Sequence, residues 1–486
     1  MGQRLSELVK RDLAADPVVE GIGADSRKIR PGFLFAALPG AKANGRDFAA
    51  AAVEAGAVAV LAGEDMPGLG VPVVVSSDPR RAYALAAAAF WGRQPPVCVA
   101  VTGTNGKTSV AAFCRQIFGR AGLVAASMGT LGVRITDPAA SADQQVTAPG
   151  LTTPDAADVA RLLAELAEKG VTHLALEASS HGIDQRRLDG VNLAAAGFLN
   201  LTQDHLDYHG TMGVYRAAKL RLFESLLPRG ASAVLNADSD SYPAFAAAAL
   251  AAGQTVFSVG EAGQSLELLG RAWAADGQRL TLRAEGRVHE VHLPLAGAFQ
   301  ASNALVAAGL AMAAGIDLDT VLAAVERLEG APGRLQRVGA GPRGGEAYVD
   351  YAHTPDGLET VLRALRPHVD GRLIVVFGAG GDRDRGKRPL MGAVAANLAD
   401  IAIVTDDNPR SEAPQAIRAD VLAGAVGARE IGDRRQAIAA ATAMLQKGDV
   451  LVVAGKGHEQ GQIVGEAVLP FDDVTEVSRA LELADA

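Results

Sequence analysis

Cysteine is nearly missing from this chain: 486 residues contain two, Cys98 and Cys114. Neither has metal-ligand spacing, and both read as core residues of a protein kept in a reducing compartment. Positive charge is also short. Lys and Arg number 46 against 55 Asp and Glu, a formal net charge of −9. That balance excludes a broad nucleic-acid-binding surface and leaves the basic residues to act locally, in pockets. Long apolar runs are missing as well. The alanine-rich ones, such as 84–90, are too short and too interrupted to span a bilayer. The stretch Met1-Gly2-Gln3-Arg4-Leu5-Ser6 lacks the apolar core of a signal peptide. No solenoid-period repeat or low-complexity tail is apparent. The expectation is a cytoplasmic protein without membrane insertion. What is present, 49% apolar and 21% charged residues, is ordinary for a globular chain long enough for two to four domains.

The chain is organised around one stretch. The apolar run Val97-Cys98-Val99-Ala100-Val101 leads through Thr102 into Gly103-Thr104-Asn105-Gly106, and Lys107-Thr108-Ser109 then opens an alanine-rich helical segment. Strand, glycine loop and helix in that order form a phosphate cradle. Loop N–H groups and the positive helix end face the anion, and the lysine adds a point charge. The Thr108 hydroxyl is placed to ligate a phosphate-bound Mg²⁺. The strict P-loop pattern has glycine five residues before Gly106, where this chain has Val101. The alternative is a glycine-rich turn with no ligand.

Residues 1–93 alternate short apolar runs with alanine-rich helical ones, with strands expected over 33–38, 58–61 and 71–75. Asp25-Ser26-Arg27-Lys28 is a polar turn, and Gln94-Pro95-Pro96 a stiff linker. From 94 to 333 strand and helix alternate, which predicts a mostly parallel sheet with ligands at the carboxyl ends of its strands. Two such ends carry Glu177-Ala178-Ser179-Ser180-His181 and Asn200-Leu201-Thr202-Gln203-Asp204-His205-Leu206-Asp207-Tyr208-His209. Residues 254–296 read as an antiparallel β insertion, with strands over 280–283 and 288–293. After Gly330-Ala331-Pro332-Gly333 the alternation restarts, with strands over 347–350, 373–377, 401–405 and 450–454. The expected fold is α/β in three domains. A smaller α/β domain spans 1–93, a central P-loop-type, mostly parallel sheet with a β insertion spans 94–333, and a nucleotide-fold-like parallel sheet spans 334–486.

Glu177 at a strand end beside the cradle suits the magnesium shell, the alternative being a solvated loop carboxylate. Asp204, His205, Asp207 and His209 crowd one short loop and favour a site; His181 is undecided. Gly378-Ala379-Gly380-Gly381 follows a strand, but the third glycine of a dinucleotide fingerprint would fall at Arg383. The four cations within Asp382-Arg383-Asp384-Arg385-Gly386-Lys387-Arg388 suit an acidic ligand, the alternative being a solvated charge run. Asp406-Asp407-Asn408-Pro409-Arg410 and Gly455-Lys456-Gly457-His458-Glu459, at matching strand ends, mix both charges. Such a pocket suits a zwitterion.

Taken together, Gly103-Thr104-Asn105-Gly106-Lys107-Thr108, the Glu177 and Asn200 segments, Asp350-Tyr351-Ala352-His353-Thr354-Pro355 and Asp407-Asn408-Pro409-Arg410 strongly resemble the Mur ligases, over nearly the whole chain. The resemblance implies a UDP-binding, an ATPase and an amino-acid-binding domain in that order. It implies ATP-dependent addition of meso-2,6-diaminopimelate to the D-Glu carboxylate of UDP-N-acetylmuramoyl-L-Ala-D-Glu, through an acyl phosphate, in peptidoglycan precursor synthesis. Position by position, Ala24, Asp25, Ser26, Ala41, Lys42 and Ala43 hold the uridine end, and Thr152, Thr153, Ser179, Gln185 and Arg187 the muramoyl dipeptide. ATP is met by Gly103, Thr104, Asn105, Gly106, Lys107, Thr108, Ser109, Asn303, Arg334 and Asp350. Thr108 and Glu177 take one Mg²⁺ and His205 a second. Lys219, otherwise a surface helix lysine, carries a CO₂-derived carbamate that also faces metal. Lys107, Lys219 and His205 are the catalytic set. Arg383, Asp407, Asn408, Pro409, Arg410, Gly455 and Glu459 bind diaminopimelate. Arg410 stands where the diaminopimelate-adding members carry arginine; a small or apolar residue there would point to L-lysine. Two positions depart from the family pattern, Ser109 for a second threonine and Gln300 for asparagine. A monomer is expected. The rival readings are a folylpolyglutamate synthetase and a P-loop switch without chemistry.

Overall fold

The computed structural model describes residues 2–40, 43–148, 150–274 and 276–485. Packing divides the chain into two units. The first runs to Glu267 and takes in Leu305–Ala324; the second holds Leu268–Ala304 and the chain from Val325 onward. No helix among the described residues is long and apolar enough to cross a membrane.

The first unit contains a parallel four-stranded sheet in the order Gly21–Gly23, Phe33–Ala37, Ala59–Ala62, Val73–Val75. Helix Pro79–Trp91 starts where the Asp78 side chain accepts from Arg81 N and ends at Gly92 in the left-handed conformation. Its Tyr83 hydroxyl donates to Asp155 Oδ1 at 2.7 Å, at the start of helix Ala156–Glu168. A larger sheet follows, in the order Gln144–Thr147, Gly132–Thr136, Ala125–Gly129, His173–Glu177, Val97–Thr102, Leu193–Phe198, Ser232–Asn236, Thr255–Gly260. It is parallel from Ala125–Gly129 onward, with two antiparallel strands at its edge. The strand beside that edge carries no strand signal in sequence, because Ala125-Ala126-Ser127-Met128-Gly129 has no β-branched residue.

The expected antiparallel insertion from 254 is corrected here. Thr255–Gly260 pairs in parallel with Ser232–Asn236, because helix Tyr242–Ala251 lies between them and a strand–helix–strand crossover returns in parallel. Antiparallel pairing does hold for Gly277–Ala284 with Arg287–Leu293, in the second unit.

The second unit's main sheet runs Gln336–Ala340, Glu346–Asp350, Val450–Ala454, Leu373–Phe377, Ile401–Val404, Arg429–Glu430. All neighbours are parallel except the first pair. Leu373–Phe377 and Val450–Ala454 are buried throughout, as continuous apolar strands covered on both faces must be. One face packs on Leu358, Leu362, Met391 and Val421, the other on Ala437, Ile438 and Val477. A hairpin, Gly461–Val464 with Ala467–Pro470, stands apart from the sheet.

Candidate functional site

Strand Val97–Thr102 ends in the loop 103–106, and helix Lys107–Arg120 begins directly after it. Gly106 sits at φ +89°, a conformation that glycine alone adopts freely. The Asn200 side chain ties the loop down, accepting from Asn105 N at 3.0 Å and donating to Asn105 O at 3.2 Å. Thr104 Oγ1 donates to Thr202 O, accepts from Thr202 N and meets the Tyr215 hydroxyl at 3.2 Å. Lys107 Nζ folds back over the loop to Gly103 O and Thr104 O, both at 2.9 Å. The cradle is therefore pre-shaped by its own backbone and by residues 200–215.

Glu177 is buried at its side. Thr108 Oγ1 donates to Glu177 Oε2 at 3.0 Å, and Thr130 N to Oε1 at 2.8 Å. A Cβ at Gly129 would stand 2.1 Å from Oε1, so that glycine makes room for the carboxylate. A buried carboxylate against the Thr108 hydroxyl is a hard-oxygen set, which fits Mg²⁺.

Lys219 is no surface residue. It is 1% exposed, and its Nζ donates to Gly103 O at 2.8 Å, the carbonyl that Lys107 also reaches. Burial first, and then repulsion from Lys107, hold its ammonium well below the usual lysine range, with Asp204 opposing. A neutral amine is the form that reacts with CO₂, so the residue fits the carbamate.

The four titratable groups of 204–209 are turned different ways. His205 is 45% exposed, with φ +52° and Nε2 3.4 Å from Asp204 Oδ2. His209 instead turns inward, its Nε2 3.0 Å from Ser180 Oγ, and Asp207 is exposed. The inward turn follows from ring packing: His209 lies against Tyr215 and His181, at centroid distances of 5.1 and 5.4 Å. His181 also packs on Tyr208 and His205. Burial lowers both His181 and His209 below the ordinary imidazole value. Among the described residues no group of three or more His, Cys, Asp and Glu converges to hold a metal.

The residues expected at the dipeptide do come together. Thr153 Oγ1 donates to Glu177 O at 2.9 Å and accepts from Ser179 N and Oγ. Arg187 donates to Thr153 O and to Gln185 Oε1. Thr152 Oγ1 lies 2.9 Å from Thr130 Oγ1. Ala24, Asp25 and Ser26 follow strand Gly21–Gly23. There the hydrogen-bonded Arg27 holds the Asp25 carboxyl down at about 2. Ala43 O accepts from Gly40 N; Ala41 and Lys42 lie outside the described residues.

In the second unit, Asp350 accepts from Leu335 N at 2.6 Å and Ala352 N at 2.7 Å. Burial still raises it to about 6, against the pull of Arg334. Arg334 covers the Tyr351 ring at 4.6 Å, and its carbonyl accepts from Gln300 Nε2. Gln300 Oε1 in turn accepts from Asn303 Nδ2 at 2.9 Å. One network thus joins Asn303, Arg334 and the departing residue Gln300. The His458 ring lies 5.0 Å from Tyr351, and burial, with Arg334, lowers it to about 4.

Arg410 has φ +53° and is clamped through its backbone by the hairpin: its N donates to Ile463 O, and its O accepts from Gly465 N. Its Nη1 donates to Gly381 O at 2.9 Å. The Pro409 carbonyl lies where a Cβ on Gly381 would stand. Asn408 Nδ2 donates to Glu459 Oε2 at 2.8 Å. Gly455 is at φ +122°, and a Cβ there would come 2.6 Å from Asp407 Oδ2. The run 382–388 does not offer four cations to a ligand, which corrects that expectation. Arg388 is buried between Glu412 and Asp420, Arg385 pairs with Glu412, and Lys387 donates to His353 O. A guanidinium at 1% exposure needs carboxylates around it, and the fold supplies them. Arg383 keeps no carboxylate partner among the described residues.

Family models for the Mur ligase family catalytic domain, the Mur ligase middle domain and the Mur ligase glutamate ligase domain match residues 18–91, 101–311 and 333–457. The UDP-N-acetylmuramoyl-L-alanyl-D-glutamate–2,6-diaminopimelate ligase of Caulobacter vibrioides is 70% identical over the whole of both chains. The chain belongs to the Mur ligase family. A ligase of the same name from Brucella melitensis is 54% identical, over 96% of this chain and 95% of its own. A solved structure of a UDP-N-acetylmuramoyl-L-alanyl-D-glutamate–2,6-diaminopimelate ligase matches at TM-score 0.75 and 35% identity, over 99% of each chain. A folylpolyglutamate synthase of Mycobacterium tuberculosis complexed with ADP shares the fold, at TM-score 0.62 and 21% identity over 84% of this chain and 95% of its own.

Within this Mur ligase, sequence reasoning missed Gly129, Thr130 and Tyr215. Thr130 orients Glu177 through two bonds, and Tyr215 packs on Lys219 at 4.5 Å. A glycine ending a short alanine-rich strand was the only local signal for the first two.

Proposed function

We propose that this Mur ligase is an ATP-dependent amide ligase that joins meso-2,6-diaminopimelate to the D-Glu carboxylate of UDP-N-acetylmuramoyl-L-Ala-D-Glu. It supplies a peptidoglycan precursor and acts in the cytoplasm as a monomer, with domains 1–93, 94–333 and 334–486. The observation that carries the reaction type is Lys219, an amine buried at the phosphate loop without an ion-pair partner among the described residues.

The loop 103–106 and Lys107 hold the ATP phosphates, and Asn303, Arg334 and Asp350 serve the nucleotide. The D-Glu carboxylate takes the γ-phosphoryl group and becomes an acyl phosphate, with ADP as the other product. The amine of diaminopimelate then attacks the acyl carbon and phosphate leaves. Thr108 and Glu177 hold one Mg²⁺, and His205 with carbamylated Lys219 a second. Bound there, the ions neutralise charge on the transferring phosphoryl group. Thr152, Thr153, Ser179, Gln185 and Arg187 orient the dipeptide, and 24–26 with 41–43 its uridine end. Arg410 and Arg383 meet the far carboxylate of diaminopimelate, because a guanidinium fork suits bidentate carboxylate binding. Asp407, Asn408, Pro409, Gly455 and Glu459 frame its ammonium end.

The test supplies ATP, the nucleotide-linked dipeptide and a panel of amines to the purified protein. ADP release dependent on meso-diaminopimelate is expected. No release with any amine, or turnover of a folate instead, overturns the reading.

A further inference from the structure

Lys456 follows strand Val450–Ala454 and is 0% exposed. Its Nζ donates to Asn408 Oδ1 at 2.9 Å and lies 3.4 Å from Glu459 Oε2 and 3.7 Å from Asp407 Oδ1. Asn408 Oδ1 also accepts from Ile463 N, in the hairpin, at 2.9 Å. An amide oxygen that receives two donors cannot be exchanged for its NH₂ group, which would aim donors at donors. The Asn408 amide is therefore held one way round, with Nδ2 toward Glu459 Oε2 at 2.8 Å. Glu459 Oε2 is taken up by Asn408 and Lys456, while among the described residues no protein donor meets Oε1 and no protein acceptor meets the second Nδ2 proton.

We infer that Lys456 is a positioning residue for the amine substrate. By fixing Asn408 and Glu459 it sets a carboxylate-facing donor beside an ammonium-facing acceptor, the pair that selects the zwitterionic end of an amino acid over a plain amine. The inference rests on the amino-acid pocket proposed above. It deepens that reading by naming what holds the pocket's polarity. Without the ammonium, Asp407 and Glu459 face each other's charge across Asn408, and Glu459 loses one of its two donors.

The test measures steady-state kinetics of Lys456→Met and Lys456→Arg with all three substrates. Lys456→Met is expected to raise the KM for meso-diaminopimelate about tenfold or more, the scale of a lost charged hydrogen bond. The KM for ATP and for the nucleotide dipeptide should stay within about twofold, and Lys456→Arg should recover part of the loss. Added to Glu459→Gln, Lys456→Met should cost less than the sum of the two single losses, because part of the Lys456 effect runs through that carboxylate. An unchanged KM for diaminopimelate, an equal rise for all three substrates, or additive losses would overturn the inference. If Lys456→Met fails to fold, Asn408→Asp tests the same arrangement: it keeps the oxygen facing Lys456 and turns a second oxygen on Glu459. The selective rise in KM must then appear, and its absence overturns the amide orientation. A wild type that uses diaminopimelate while these variants stay unchanged defeats this inference alone. A wild type that uses no amino acid defeats the proposed function as well.

Discussion

Lys219 and Lys456 are buried alike, at 1% and 0% exposure, in opposite surroundings. Lys219 meets the carbonyl of Gly103, the face of Tyr215 and the repelling charge of Lys107. Lys456 meets Asn408 and the carboxylates of Asp407 and Glu459. Burial by itself disfavours an ammonium, and carboxylates alongside compensate it. One residue type is thus pushed below the ordinary lysine range where no carboxylate among the described residues lies within ion-pair distance, and sits beside two carboxylates elsewhere in the fold.

The largest effect is expected at Lys219. Lys219→Met should lower ligation about a thousandfold or more, the upper scale for losing one electrostatic group at a transition state. Wild-type protein labelled with ¹³C-bicarbonate should show a carbamate resonance that the variant lacks. Full activity in Lys219→Met would break the contrast between the two lysines.

A second contrast lies between Asp350 and His458, which burial moves in opposite directions. Asp350 rises from 3.8 to about 6, so its contribution to stability is complete below pH 4 and lost as pH climbs to 6. His458 falls from 6.5 to about 4, so its contribution is complete above pH 6.5 and lost as pH drops toward 4. Each is worth about 3 kcal/mol at ~1.4 kcal/mol per unit. Relative to wild type, Asp350→Asn should gain stability and His458→Phe lose it as pH rises through this window. Urea unfolding across it reads both, and slopes of the same sign would contradict the pairing.

Next comes the choice of amine. Losing a desolvated charge-assisted pair costs roughly 2–5 kcal/mol. Arg410→Ala should therefore cut diaminopimelate use by at least about thirtyfold, at ~1.4 kcal/mol per tenfold, with L-lysine use falling far less. Equal losses for both amines would detach Arg410 from selectivity. The smallest effect sets the baseline for a charge in water. Arg363 and Glu359 pair at 2.7 Å with side chains 64% and 42% exposed, and Glu359→Ala should change unfolding free energy by at most about 0.5 kcal/mol.

Much of this site was legible in the sequence, and the reason is local. The cradle is one contiguous strand, loop and helix, so its glycines, Lys107 and Thr108 announce themselves within a dozen residues. The strand 373–377 was readable because a strand buried on both faces must be apolar without interruption. The strand Thr255–Gly260 was misassigned because its pairing direction depends on the helix before it and on the neighbour it finds. The cations of 382–388 were misread because Glu412 and Asp420 lie 24 and 32 residues from Arg388 in the chain.

The sequence by itself settled composition, the phosphate cradle and the succession of strands and helices, all set by short-range sterics and the periodicity of burial. The tertiary structure alone decided which lysine is pushed below the ordinary lysine range and which keeps company with acids. Lys219 reaches Gly103 across 116 residues and Lys456 reaches Asn408 across 48. An ionisable group is governed by desolvation and by charges a few ångströms away, and those neighbours exist only once the chain has folded.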